Sequence, residues 1–163
     1  MKAIKFVVPA IILTFSLAAE PAADPFAVTL PEGFGAFTKQ VQTTKSPEGD
    51  IETSNWIAKA PSGEAVIVTV SKMPGKVLDP QKLIEGTRTS LLKSVGATLE
   101  TEEPRAGDVP SARLMFQGSG AFFRARLSVI DDHFYQLLYM GRSAEQRTAP
   151  AVGQMFDSFQ IVQ

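Results

Sequence analysis

The sequence predicts an α+β fold, a mainly antiparallel sheet with helices packed on its faces. Three observations carry this. Short apolar or alternating runs recur between Gly, Pro and Asp punctuation, as strands and hairpins require. Only two segments, one beginning at Asp79 and one ending near Phe159, show apolar residues at helical spacing. The order is strands, a helix, a meander of strands and a helix, which suits an α+β domain better than alternating βαβ units.

The first nineteen residues differ in kind from the rest. "MKAIK" is a short positive start, Phe6 to Leu17 is an apolar run, and "SLAAE" supplies small residues. This is the pattern of a secretory signal peptide, with cleavage expected after Ala18 or Ala19. The run is interrupted by Pro9 and is short of the about 20 residues that span a bilayer, so no stable membrane span is expected after cleavage. Residues 1–19 are therefore read as signal, residues 20–25 ("EPAADP") as a short tether, and residues 26–163 as one globular domain. A periplasmic or secreted protein is expected.

"FAVTLPEGF" alternates Phe26, Val28 and Leu30 before a Pro-Glu-Gly turn and reads as a strand. "TTKSPEGDIET" is polar, with Pro47 and Gly49, and reads as a surface loop or hairpin tip. "SNWIAKA" and "AVIVTVSKM" read as antiparallel strands joined at "PSGE". The second is apolar on both faces except at Thr69, as expected of a strand covered on both sides. Asp79-Pro80 marks a helix start, Leu83, Ile84, Thr87, Leu91, Leu92 and Val95 follow at helical spacing, and Gly96 marks the end. "TLETEE", "SARLMFQ", "AFFRARLSVI" and "FYQLLYMGR" then read as strands separated by "PRAGDVP", "GSG" and "DDH". Val152, Met155, Phe156 and Phe159, at i, i+3, i+4 and i+7 with Pro150 in the first turn, give the closing helix.

Three of these stretches resemble a known group. "FAVTLPEGF", the "LDPQKLIEGTRTSLL" helix and the ending "MFDSFQIV" are similar to features of the PsbP-like domains, which include the PsbP subunit of photosystem II and bacterial DcrB-like exported proteins. The resemblance covers roughly residues 25–162 by element order and implies an α/β/α sandwich. It carries no shared catalytic residues and implies an accessory or partner-binding role. Phe34 stands where Trp is common in the group. No lipid-attachment Cys follows the signal, which argues for a soluble rather than anchored protein.

Composition narrows the function further. The chain has 163 residues, a formal charge of −1 and no cysteine. Without residues 1–19, 14 basic residues stand against 17 acidic ones, a net charge of −3. No basic excess points to nucleic acid, and thiol chemistry, disulfides and cysteine-based metal sites are excluded. The single histidine, His133, sits beside Asp131 and Asp132 and is read as part of a hairpin turn. A hydrolase would need a nucleophile and an orienting group around it, and the chain has neither a Gly-x-Ser-x-Gly motif nor a second histidine. Neither a cofactor nor a metal site is expected.

The arginines are the candidates for binding. If Ser119-Gly120 form a two-residue hairpin turn, Arg113 faces Arg126 and Met115 faces Arg124. Side-chain alternation then gathers Leu114, Phe116, Phe123, Ala125, Leu127 and Val129 on a core face, and Arg113, Arg124 and Arg126 on the other. Like charges directly opposite are destabilising without compensation. Glu100, Glu102 and Glu85 are the expected counter-ions. The competing expectation is a site for an anionic ligand or an acidic partner. For the following turn, a three-residue Asp131–His133 loop puts Arg126 beside Leu138. A two-residue Asp132-His133 loop puts it beside Tyr139, in reach of cation–π contact. The function expected is an exported, non-enzymatic accessory domain of the bacterial cell envelope, binding an envelope protein or an anionic ligand through Arg113, Arg124, Arg126 and Tyr139. A small-molecule carrier with an apolar pocket between sheet and helix is the alternative.

Overall fold

The computed structural model describes residues 24–105 and 109–162. The signal segment and most of the tether lie outside the described residues, as do residues 106–108 of the "PRAGDVP" loop. The elements are β1 (Phe26–Ala27), β2 (Thr38–Ser46), β3 (Gly49–Lys59), β4 (Ala65–Lys72), α1 (Pro80–Ser94), β5 (Thr98–Arg105), β6 (Ser111–Gly118), β7 (Ala121–Ile130), β8 (His133–Gly141), α2 (Ala144–Thr148), α3 (Pro150–Ser158) and β9 (Gln160–Ile161).

Strands β2 to β8 form one antiparallel sheet in the order β2-β3-β4-β8-β7-β6-β5. Each hairpin joins neighbours, and α1 carries the chain from β4, inside the sheet, to β5 at its far edge. The α+β expectation therefore holds. "TTKSPEGDIET" is the hairpin tip of its two expected forms: its residues extend β2 and β3 to either side of a two-residue turn at Pro47-Glu48. Its polarity reflects a sheet edge, since every β2 residue except Thr44 and Ser46 is exposed. Conversely, "FAVTL" pairs only at Phe26 and Ala27, which join Gln160 and Ile161 of β9 in a separate two-stranded sheet.

The two long helices lie on opposite faces but over different strands. Helix α1 begins at Asp79, whose side chain accepts from the Lys82 N–H at 3.0 Å, and Gly96 follows it at φ +57°. Ile84 is its buried anchor, packing with Leu114, Phe116, Phe123, Ala125, Leu127 and Val129 of β6 and β7. Helix α3 buries Val152, Met155 and Phe156 against Val66, Val68 and Val70 of β4 and Tyr135, Leu137 and Tyr139 of β8. Phe26, Trp56 and Phe159 complete that second core, with Phe26 edge-on to Trp56 at 5.0 Å.

The offset corrects one expectation. Strand β4 is fully covered on the α3 face only. Its other face is half-buried at Ile67 and Thr69, because α1 sits over β6 and β7. Thr69 Oγ1 donates to Asn55 Oδ1 at 2.7 Å there, which suits a hydroxyl in partial contact with solvent. Asp24 and Pro25, read from the sequence as tether, already contact the fold. Asp24 Oδ1 accepts from Trp56 Nε1 at 2.7 Å, and the Pro25 carbonyl accepts from the Val162 N–H at 3.0 Å.

Candidate functional site

The β6–β7 hairpin turns at Ser119-Gly120, with Gly118 opposite Ala121, so the register across it is the one the sequence predicts. Arg113 lies opposite Arg126, and Met115 opposite Arg124. Phe123, Ala125, Leu127 and Val129 point toward α1, leaving Arg124 and Arg126 on the α3 side.

The next turn follows neither of the two expected registers. It is a two-residue Asp131-Asp132 loop, with Ile130 opposite His133. Asp131 takes φ +52°, a left-handed conformation that Asp tolerates better than most residues, and this lets the turn close one residue earlier. Arg124 therefore faces Tyr139, and Arg126 faces Leu137. His133 is not in the turn. It opens β8, between Ile130 of β7 and Lys72 of β4, with Nδ1 2.6 Å from Asp132 Oδ1 and its ring 6.0 Å from that of Tyr135.

Tyr139 is fully buried and takes no part in the open arginine surface. Its hydroxyl donates to Glu64 Oε1. Burial first, and then the Glu64 hydrogen bond and charge, push its phenol above the ordinary tyrosine range.

The three arginines form a half-buried cluster beside α3. The Arg124 guanidinium lies over the Phe156 ring at 4.7 Å, and Arg126 over Phe159 at 5.5 Å. Arg126 Nη1 also donates to the Phe159 carbonyl at 3.2 Å. Arg113 Nη2 stands 3.6 Å from Asp157 Oδ1. Among the described residues, Arg124 has no ion pair within 4.0 Å. Burial and then the charge of Arg113 lower its pKa from the ordinary arginine value, against the opposing pull of Asp157 and Glu103.

The counter-ions are not the ones expected. Glu100 pairs with Arg147 of α2 at 2.5 Å, and Glu102 pairs with Arg88 of α1 at 2.5 Å. Glu85 is exposed on α1. Alternation explains Glu102: it sits opposite Leu114, on the α1 face, while Glu103 sits opposite Arg113 on the arginine face. The expectation missed Asp157 and Arg147. Asp157 adjoins Phe156 on the closing helix, so only the docking of α3 beside β7 brings it to Arg113. Arg147 belongs to the short α2, which no apolar periodicity announces.

Chemically, the arrangement offers half-buried guanidinium groups from two adjacent strands, two of them stacked on aromatic rings. It suits a carboxylate or another oxyanion. The space expected of a carrier is filled instead: Val152, Met155 and Phe156 occupy the sheet–α3 interface, and Ile84 with its neighbours occupies the other. Two open depressions lie elsewhere. One, of about 500 Å³, is lined by Thr43, Asp50, Glu52, Lys72, Pro74 and Asp132, and another, of about 330 Å³, adjoins Gly35, Thr38 and Ile57. Among the described residues no three His, Asp or Glu side chains converge as metal ligands, and no helix is long and apolar enough to cross a membrane.

Comparison with known proteins gives a fold and no more. No protein-family model matches the chain, and no curated protein matches it. Among solved structures it is similar to the solution structure of cyanobacterial PsbP (CyanoP) from Synechocystis sp. PCC 6803. The two are 12% identical over 90% of this chain and 98% of that one, with a TM-score of 0.53. The fold is thus PsbP-like, as the sequence resemblance implies.

Proposed function

We propose that this chain is an exported, non-catalytic accessory domain of the cell envelope that docks through its arginine face onto carboxylates of another protein. The observation that carries the reading is the cluster itself. Three arginines from adjacent strands are held half-buried on one face; Arg113 stands 3.6 Å from Asp157, and among the described residues Arg124 has no ion pair within 4.0 Å. Concentrating like charge in a sheet is unfavourable unless a use or a partner offsets it. The PsbP-like fold and the signal-like first nineteen residues support an accessory, exported role.

Crosslinking in intact cells, followed by capture of the chain, tests the docking. Arg124→Glu with Arg126→Glu is expected to remove the partner while thermal unfolding stays cooperative. A folded double variant that keeps every partner sinks the reading. Export has its own test, since N-terminal sequencing of the purified cellular protein should begin at Ala19 or Glu20. An intact Met1 in the envelope fraction contradicts the cleavage.

A further inference from the structure

The two edges of the seven-stranded sheet are built differently. At one edge β5 is guarded: its register slips between Leu99 and Thr101, Pro104 offers no N–H, and Glu100, Glu102 and Glu103 load it with charge. At the other edge β2 runs nine residues in one unbroken register with β3, without proline or glycine, and is exposed along most of its length. Among the described residues β3 is its one strand neighbour. Lysine is a common guard on such an edge. Here Lys39 and Lys45 stand near the two ends, and Lys39 is turned back over the Trp56 ring of its own sheet at 4.7 Å. Between them Val41 is 54% exposed, the one large apolar side chain of that sheet left so among the described residues.

The turn at Pro47-Glu48 sets which backbone groups of β2 are turned outward. Ser46 and Gly49 flank a two-residue turn, where the flanking pair exchanges both hydrogen bonds, and bonded and non-bonded pairs alternate from there. Thr44, Gln42, Gln40 and Thr38 therefore direct their N–H and C=O groups to β3. Lys45, Thr43, Val41 and Lys39 direct theirs away from the sheet, as an open template for another strand.

We propose that this edge pairs with β2 of a second copy of the chain, antiparallel and centred on Val41, to form one continuous sheet across a two-fold axis. The strand is self-complementary in that register. Each outward-directed residue meets another, Val41 against Val41 and Lys39 against Thr43, so the ladder closes from Thr38 to Thr44. The exposed valines cover each other, and no lysine faces a lysine. Centring the pair on Gln42 instead would set Lys39 against Lys45 twice, which is unfavourable. Centring it on Gln40 would shorten the ladder to Thr38–Gln42 and put Val41 against Lys39. Charge favours the Val41 register as well. Thr43 lies opposite Glu52 in β3, on the face shared by Lys39, so Lys39 comes within two strand spacings, about 10 Å, of Glu52 of the second copy. Paired residues share a face, so the α3 sides of both copies point the same way. The contact is small, and the dimer is therefore a reversible one of micromolar strength. It stands independently of the arginine face.

The test is sedimentation of the protein purified from the cell, from about 1 µM to about 1 mM. Wild type is expected to pass from monomer to dimer over that range. Val41→Pro removes an N–H that serves only the second copy, and Val41→Lys sets two ammonium groups side by side at the axis. Each should raise the midpoint concentration by about tenfold or more while thermal unfolding stays cooperative. If Val41→Pro disturbs the fold, Val41→Lys decides. The chain has no cysteine, so a single introduced one reports the register. Oxidised Val41→Cys should form a covalent dimer. Gln42→Cys should not, because its Cα atoms would stand beyond the about 7 Å that a disulfide spans. A wild type that stays monomeric up to about 1 mM overturns the proposal. A dimer that both Val41 substitutions leave unchanged overturns the assignment to β2. Crosslinking through Gln42→Cys but not through Val41→Cys overturns the register.

Discussion

Arg147 is 5% exposed and bridges three groups: the Glu100 carboxylate at 2.5 Å, the Phe116 carbonyl at 3.2 Å and the Phe122 ring at 5.6 Å. It ties α2 to β5, β6 and β7 at once. Replacing it by Met leaves Glu100 and the Phe116 carbonyl without that partner. A loss of about 2–3 kcal/mol is expected in urea denaturation, since removing one member of a buried charged pair costs more than the pair contributes. Ser128 makes the opposite case. It is buried opposite Ser111, and among the described residues its hydroxyl finds no hydrogen-bond partner. Ser128→Ala should therefore be neutral or stabilising, by up to about 1 kcal/mol in the same measurement. Tyr139 adds a pH dependence. Its folded pKa lies above the unfolded value of 10.0, so the unfolded chain loses the proton first as pH rises. The stability it contributes is complete below pH 10.0 and declines above it. Tyr139→Phe should lower stability at pH 7 by about 1 kcal/mol, through loss of the hydrogen bond to Glu64, and flatten the decline seen above pH 10.0.

The elements differ in how plainly the sequence announces them, and the reasons are local. Helix α1 is legible because its signals agree: a capping Asp79, Pro80 at the first position, apolar spacing, and Gly96 in the left-handed conformation that glycine favours. The β6–β7 register is legible because a two-residue turn leaves one pairing. The next turn is not, because "DDH" allows three closures and only the conformation of Asp131 selects among them. Strand β2 hides in polar sequence, since an edge strand exposed on both faces carries no alternation. For the candidate site, the arginines could be placed from register alone, while Asp157 and Arg147 depend on how α2 and α3 dock. A glycine shows how tightly elements meet. A Cβ on Gly118 would lie 2.6 Å from the Val95 carbonyl and 2.7 Å from Ala97 Cα, both backbone atoms just after α1. Gly118→Ala must therefore push the α1–β5 connection away from β6. A loss of roughly 2–3 kcal/mol is expected in thermal or urea unfolding, of the order seen for overpacked sites.

Across the whole molecule, α1 lies over β6 and β7 on one face and α3 over β4 and β8 on the other. Each face thus keeps a half-buried stretch beside its helix, the arginines on the α3 side and the uncharged Asn55 and Thr69 on the other. The partner proposed above would then be directed to one side of the sheet, and its binding should fall steeply between low and physiological salt.

The pairing of Phe26 with Ile161 joins the two ends of the described chain across almost its whole length. Trp56, Phe26 and Phe159 meet at that closure, so the α3 core lacks its last aromatic until the C-terminal strand is in place. Such a fold behaves as a clasp: its final contact pays a long loop-closure cost and forms only after the last residues are available. On the export proposed above, a chain still threading through a channel would have this clasp open, and folding to completion would mark arrival on the far side.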